Sequence, residues 1–274
     1  MKRRIVVCLA VLLALLACAA FAEAGVTSIA QLNALGRKVG ISQGSAAETV
    51  VREQLPEAEI VYFNENASAY LALAQGKLDA FIYDYNQMRI AIESGVEGVH
   101  LLDEAMGEPV RVAVGVSPVS DIPALEDKLN RFIGELRADG TLDDMYRRWV
   151  VDGDEDMPDI ALPENPALHL TVGTSGIVPP YSYYAGTALM GYDIELAHRF
   201  AAWLGAELEF KVYDYGAIIA AAASGDVDCV MANLNITPER AEAMTFSDPL
   251  YEEGLGVMVK GDAPAAAMEA AAPA

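Results

Sequence analysis

Leu73-Ala-Gln-Gly-Lys-Leu-Asp-Ala-Phe-Ile82 reads as a helix end, a glycine cap, an apolar residue, an aspartate and a buried strand. Ala222-Ala-Ser-Gly-Asp-Val-Asp-Cys-Val-Met231 repeats that pattern. Each copy lies downstream of a strand–loop–helix that begins with Val-Gly, at Val39-Gly40 and at Val172-Gly173. Two similar α/β lobes explain the pair, although helix–glycine–strand units also recur in unrelated α/β proteins.

Outward from these copies, strands and helices alternate. Strands are expected at 38–42, 60–63, 80–83 and 110–116, then at 168–174, 208–212, 227–231 and 254–259. Helices are expected from Ser45, over 67–75, after a cap at Asp121, over 141–151, 193–204 and 217–223, and from Thr237. Between the halves, Val151 to Ala167 holds six acids and three prolines and reads as a linker. Asp262 to Ala274 is rich in alanine and proline and reads as a disordered tail.

The chain has 274 residues, of which 53% are hydrophobic, enough to bury a core. Forty acidic residues against 18 basic ones give a net charge of −22. That charge excludes nucleic acid and anionic lipid as partners, because both need a basic surface. Lys2, Arg3 and Arg4 precede an apolar run from Ile5 to Ala17, and Ala20-Phe-Ala22 is a small-x-small site, so residues 1–22 read as a signal peptide. A soluble exported protein is expected. The rival reading is a lipoprotein processed at Cys18, after Leu15-Leu-Ala17. Cleavage after Ala22 would remove those three cations and take the charge from −22 to −25. It would leave Cys229 as the one cysteine, inside an apolar run, where it reads as an inert core residue.

No motif points to catalysis. His100, His169 and His198 have no metal-ligand spacing, and no phosphate loop or nucleophile elbow is present, so neither metal nor cofactor is expected. The most informative stretch is Met231-Ala-Asn-Leu-Asn-Ile-Thr-Pro-Glu-Arg240. Thr237 suits a helix N-cap and Pro238 the first helical position. Arg240 then falls in the first turn, where the helix dipole disfavours a cation. Two accounts stand level: an ion pair with Glu239, Glu242 or Asp248, or an anion bound at the helix start with Arg240 as its partner. Ser45 and Glu48 have capping-box spacing. Asp84 ends a strand, where α/β sheets bind ligands, yet could be a plain loop acid. Tyr181-Ser-Tyr-Tyr184 and Tyr213-Asp-Tyr215 could be loop packing or pocket walls.

Val172-Gly-Thr-Ser175, Pro179-Pro-Tyr-Ser-Tyr183, Met190-Gly-Tyr-Asp-Ile-Glu-Leu-Ala197, Ile236-Thr-Pro-Glu-Arg240 and Phe246-Ser-Asp-Pro-Leu-Tyr251 resemble the family 3 periplasmic solute-binding proteins, the polar amino-acid binders of ABC importers. Lys38-Val-Gly-Ile-Ser-Gln-Gly-Ser45, Gly76-Lys-Leu-Asp-Ala-Phe-Ile-Tyr-Asp84 and Ala138-Asp-Gly-Thr-Leu-Asp-Asp-Met-Tyr-Arg-Arg-Trp149 resemble later parts of the same family. The resemblance implies an α/β, two-lobed periplasmic-binding-protein-like fold of type II, each lobe a mixed sheet flanked by helices, with a cleft between. The order is unusual, because the block that opens the family's domain stands last. Residues 27–112 resemble lobe 2, 113–151 the C-terminal helices of lobe 1, and 168–261 the main part of lobe 1, with 152–167 as linker. A circular permutation is implied, and it predicts that Val26 and Gly261 meet near the hinge. Two half-domains of a tandem array are the alternative.

By resemblance, Arg240 grips a ligand carboxylate, helped by Thr237 and Asn235, while Asp84 takes the ammonium and Ser45 adds donors. Asn233, Tyr181, Tyr215 and Ser175 complete the expected site, with Asn233 and Asn235 reading an amide or hydroxyl side chain. Ser175 and Val178 stand where binders of basic amino acids carry an acid and an aromatic stacker, so a polar uncharged amino acid is expected. Ala46 stands where many relatives carry a threonine. The implied partners are this small-molecule ligand and a membrane ABC permease, and the implied location is periplasmic or extracytoplasmic. A dehydratase-like enzyme of the same fold and a ligand-sensing input protein are the alternatives.

Overall fold

Phe81 and Tyr83 point to one face of a strand, Ala80 and Ile82 to the other, and all are buried. A strand buried on both faces needs helices on both sides, and this requirement organises the molecule. The structure, a computed structural model, describes residues 25–154 and 156–261. The expected signal peptide, Cys18 and the expected tail lie outside the described residues.

The first sheet uses β1 (Lys38–Ser42), β2 (Glu59–Phe63), β3 (Ala80–Asp84), β4 (Val99–Leu101) and β5 (Met106–Val112). The chain continues through β6 (Gly115–Val116), β7 (Leu168–Thr174), β8 (Ile177–Val178), β9 (Ser182–Ala185) and β10 (Ala188–Met190). It ends with β11 (Ala206–Val212), β12 (Cys229–Val230), β13 (Thr245–Phe246) and β14 (Tyr251–Lys260). One sheet runs β2-β1-β3-β14-β4, with β5 also on β14, and the other runs β11-β7-β12-β6-β13. A small hairpin sheet of β8, β9 and β10 lies apart.

The two large sheets share one plan. In each, the lobe's first strand pairs in parallel with its second and third, and an antiparallel strand is inserted beside the third. The inserted strand comes from the other half of the chain: β14 joins the first lobe and β6 the second. The chain therefore crosses between lobes twice, and the crossings run antiparallel, with Tyr251 opposite Val112 and Glu253 opposite Val110. The repeat in the sequence is thus a repeat in the fold.

Each lobe has its own core. In the first, Val39, Ile41, Ile82 and Val257 pack on the helix Ala47–Gln54. On the opposite face Phe81, Tyr83 and Met258 meet the helices Asn66–Ala74 and Tyr85–Glu93. In the second, Trp149, Tyr192, Phe200 and Val172 share a core with the helix Leu125–Ala138. Cys229 is part of it, and burial pushes its thiol up, as expected of an inert residue.

Several expected elements differ. The strand over 110–116 is two strands, β5 and β6, because the chain changes sheets at Ala113-Val114. Asp121 does not cap; the helix starts at Leu125 after Ala124 in the left-handed region. The helix over 141–151 changes to a π-helix at Arg147. The segment 168–261 is divided, since β14 leaves the second lobe for the first sheet. The stretch 153–167 carries no strand or helix among its described residues, yet Met157 and Leu162 pack on the second core. Gly25 lies beside the Lys260 carbonyl and Gly261 N–H donates to Gly98 O at 2.9 Å, so the described ends meet. They meet at the outer end of β14 rather than at the crossing.

Gly191 fixes how the second lobe's site approaches the cleft. Its φ is +125°, and an added Cβ would stand 2.4 Å from Tyr181 O. That close approach lets Tyr192 N–H donate to Pro180 O (3.0 Å) and Asp193 N–H to Tyr181 O (2.9 Å), satisfying the helix start. Gly191→Ala should destabilise the protein by roughly 2–5 kcal/mol in urea unfolding. An unchanged midpoint would mean that this turn yields without penalty.

Candidate functional site

Strand ends put the site residues together. Asp84 ends β3, and Asn233 and Asn235 leave β12 towards the short helix Pro238–Ala241. The N-cap is as expected: Thr237 Oγ1 accepts from Arg240 N–H at 3.2 Å. The Arg240 side chain is buried and pairs with no acid among the described residues. Nη1 donates to Asn235 O at 2.7 Å and Nη2 to Gly44 O, across the cleft, at 2.8 Å. Its guanidinium lies 5.9 Å from the centre of the Tyr215 ring. Of the two accounts of Arg240, the ion pair with Glu239, Glu242 or Asp248 is absent.

Asp84 is buried in the facing lobe. Its Oδ2 accepts from Gln87 Nε2 at 2.9 Å and from Asn233 Nδ2 at 2.8 Å. Loss of water raises its pKa to about 6, opposed by the Asn235 amide, the nearby Arg240 charge and the other two amides. Asn233 N–H donates to Asp193 Oδ2 at 2.6 Å, and Tyr251 OH donates to Asn233 Oδ1 at 2.7 Å. Burial raises Asp193 to about 7. Glu253, on the crossing strand β14, is also buried and pushed well up, by desolvation first and the Asp84 charge second.

The remaining expected residues divide. Tyr215 lines the site, and its OH donates to Asn233 O at 3.3 Å. Ser45 Oγ and Ser175 Oγ are buried with no hydrogen-bond partner. The capping box at Ser45 does not form: its helix begins at Ala47 after a non-capping Ala46, and Glu48 instead pairs with Arg52 and Tyr62. Ser45, Thr237 and Arg240 share the wall of a cavity of about 400 Å³. Tyr181 does not wall the cleft. It stacks on Tyr251 in the second core, with its OH donating to Glu253 Oε2 at 3.3 Å. Asn233 turns its amide to Asp84 and Tyr251, so the amide that was expected to read a ligand side chain is engaged within the protein.

Beside Gln87 an interlobe groove of about 710 Å³ runs between Asn66 and Tyr70 on one lobe and Trp149, Ile177 and Pro179 on the other. Sequence reading missed Gly44 O, Gln87, Asp193, Tyr251 and Glu253. Gln87 was signalled by its place one helical turn after Asp84. Among the described residues no group of three His, Cys, Asp or Glu side chains could hold a metal ion. None of their helices is long and apolar enough to cross a membrane.

Residues 170–270 match the family profile of the bacterial extracellular solute-binding proteins, family 3. The arginine-binding extracellular protein ArtP of Bacillus subtilis (strain 168) is 36% identical over 93 residues, 34% of this chain and 36% of that protein. The ABC transporter arginine-binding protein 1 of Escherichia coli (strain K12) is 31% identical over 97 residues, 35% of this chain and 40% of that protein. A solved ancestral arginine-binding protein bound to arginine is 40% identical over 32% of this chain and 39% of its own, at a TM-score of 0.30. The chain thus matches two fifths or less of the length of these relatives.

The Asp193 carboxyl titrates far from its ordinary range, which gives a stability test. Its folded pKa, about 7, lies above the ordinary aspartate value of 3.8. The folded state therefore holds the extra proton, and stability falls as pH rises from about 4 through 7. Asp193→Asn keeps an oxygen for Asn233 N–H and removes the charge. It should raise stability at pH 8 by on the order of 1–3 kcal/mol and change it little at pH 4. An equal effect at both pH values in thermal unfolding would refute this assignment.

Proposed function

We propose that the protein captures a small amino acid between its lobes and delivers it to a membrane ABC importer from an extracytoplasmic location. The observation that carries this reading is the meeting of one buried cation and one buried acid from opposite lobes, Arg240 and Asp84, both held by neutral dipoles. A zwitterion matches that pair: its carboxylate replaces the carbonyls at Arg240 and its ammonium adds to Asp84. The unpartnered hydroxyls of Ser45 and Ser175 supply further polar contacts. Closing the lobes over such a ligand removes water and strengthens both contacts, the hinge movement that periplasmic binding proteins exemplify.

In this reading the ligand is a polar uncharged amino acid, because Ser175 and Val178 bring neither charge nor aromatic ring. Arginine is the second reading, favoured by the names of the matched relatives. The protein binds without turnover, and its family blocks stand in circularly permuted order. The shared strand plan of the two sheets supports one complete two-lobed unit in one chain.

Thermal unfolding against the twenty amino acids tests the function. A ligand at a hundredfold excess over its dissociation constant should add about 2.7 kcal/mol. A rise for a polar uncharged amino acid supports the first reading, a rise for arginine the second, and no rise for any refutes both. Arg240→Ala should abolish the rise, and Asp84→Asn should weaken binding by on the order of 2–5 kcal/mol. Since Asp84 must be ionised to hold an ammonium, calorimetric affinity should fall as pH drops through about 6. A flat profile from pH 5 to 8 would remove Asp84 from the contact.

A further inference from the structure

Asn233 is 1% exposed and lies in the left-handed region, with φ +50°. A non-glycine residue holds that conformation only where its surroundings fix it. Here all four of its polar groups are engaged. The N–H donates to Asp193 Oδ2 (2.6 Å), and the carbonyl accepts from Tyr215 OH (3.3 Å). The side-chain oxygen accepts from Tyr251 OH (2.7 Å), and the amide nitrogen donates to Asp84 Oδ2 (2.8 Å). These partners come from three places: the second lobe's helix and loop, the crossing strand β14, and the first lobe. Asn233 is therefore a junction between the lobes and the strand that connects them.

The direction of the bonds defines the chemistry. An ionised carboxylate only accepts, so the amide nitrogen of Asn233 faces Asp84. Its oxygen is then turned to Tyr251, whose OH donates to it. Gln87 Nε2 reaches the same Asp84 oxygen, and the Asn235 amide also lies against the carboxylate, so its donors are amides. We propose that Asn233, aimed by Asp193 and Tyr251, is a positioning residue that ties the two lobes together and presents the Asp84 carboxylate to the ligand. The presentation of Asp84 rests on the binding function proposed above, whereas the tie between lobes does not.

Three other interlobe bonds accompany it: Arg240 Nη2 to Gly44 O, Asn86 Nδ2 to Tyr146 OH at 2.9 Å, and Arg89 Nη2 to Val150 O at 2.7 Å. None of these three touches Asp84, so Asn233, beside the Asn235 amide, joins lobe closure to the acid itself. The charged groups near this junction are Asp84, Asp193, Glu253 and Arg240. The phenols of Tyr70, Tyr83 and Tyr181 sense the Asp84 charge, and those of Tyr215 and Tyr251 bond to Asn233; all five stay neutral because burial raises them. Within the site, then, Asp84 and Asp193 are the groups that change charge between pH 5 and 8, and burial pushes Glu253 well above its ordinary range.

The test uses the whole exported chain and two variants. Asn233→Gly removes the side chain and tolerates the positive φ. Tyr251→Phe keeps the packing and removes only the hydroxyl that aims the amide. Small-angle scattering without added ligand reads the tie: both variants should be more expanded than the wild type, Asn233→Gly more so. Calorimetry across pH 5 to 8, with the best amino acid of the thermal panel, reads the presentation. Loss of an amide donor to the carboxylate should move the midpoint of the affinity profile upward and weaken binding at least tenfold at pH 7 in Asn233→Gly. Scattering curves equal to the wild type's in both variants would overturn the tie. An unmoved midpoint, or tighter binding in Asn233→Gly, would overturn the presentation, the latter by making Asn233 a competitor of the ligand. If the wild type binds no amino acid, the binding reading and the presentation fall together, and scattering still decides the tie.

Discussion

A carboxylate taken out of water must be paired, hydrogen-bonded or protonated. The protein contains both of the first two solutions, and the contrast between them organises the molecule. Glu195 is fully buried and receives Arg148, Arg199 and the Trp149 indole N–H, at 2.7 to 2.9 Å. Its charge is compensated, and it joins the helix Tyr192–Leu204 to the π-helical segment that ends the first half of the second lobe. Asp84 is equally buried and receives amides. Dipoles stabilise an ion less than an opposite charge does, and so Asp84 keeps a raised pKa. Glu195 is structural because its partners are complete. Asp84 is suited to a ligand because a cation would still improve its surroundings.

The fold makes that incomplete acid accessible to both lobes. Each sheet takes its inserted strand from the other half of the chain, so neither lobe completes its sheet alone. The two crossings lie side by side, and Glu253 sits on one of them, close enough to Asp84 for the charges to interact. Two acids that disfavour each other's ionisation at a crossing would make the closed arrangement sensitive to whatever cation arrives. Tyr181, Tyr192 and Tyr251 pack around the same crossing, with Tyr181 and Tyr251 stacked at 6.0 Å.

Much of this was legible in the sequence, and the remainder shows what patterns omit. The strands at 38–42 and 168–174 and the helix start at Thr237 were readable because burial, a proline and a capping hydroxyl all agree locally. Arg240 and Asp84 were expected in one site only through the family resemblance, and the structure buries both, from opposite lobes, within reach of each other's charge. The capping box at Ser45 failed because Glu48 found stronger partners in Arg52 and Tyr62. Tyr181 was misplaced because a tyrosine after two prolines suits a cleft wall and a core equally, and only the position of Glu253, 72 residues away, decides between them. Asn233 was expected to read a ligand side chain, and its amide is instead engaged by Asp84 and Tyr251. Both partners are distant in sequence, and no spacing in one dimension reports those contacts.

Arg240 presents the same logic in the opposite sign. Its guanidinium faces two backbone carbonyls, one from each lobe, and has no carboxylate partner. A carbonyl dipole and a carboxylate both accept hydrogen bonds from a guanidinium, but the carboxylate adds the attraction of a full opposite charge. With such dipoles alone the lobes are held by ion–dipole contacts at both anchors. In the proposed function a zwitterion would add an opposite charge at both ends at once. The free-energy difference between the two arrangements is what would let a ligand change the balance of open and closed forms, since a ligand shifts an equilibrium only by its differential affinity for the two states. In the proposed function, burying one acid and one cation with only dipoles for company is the condition that would make the cleft responsive to a ligand carrying both charges.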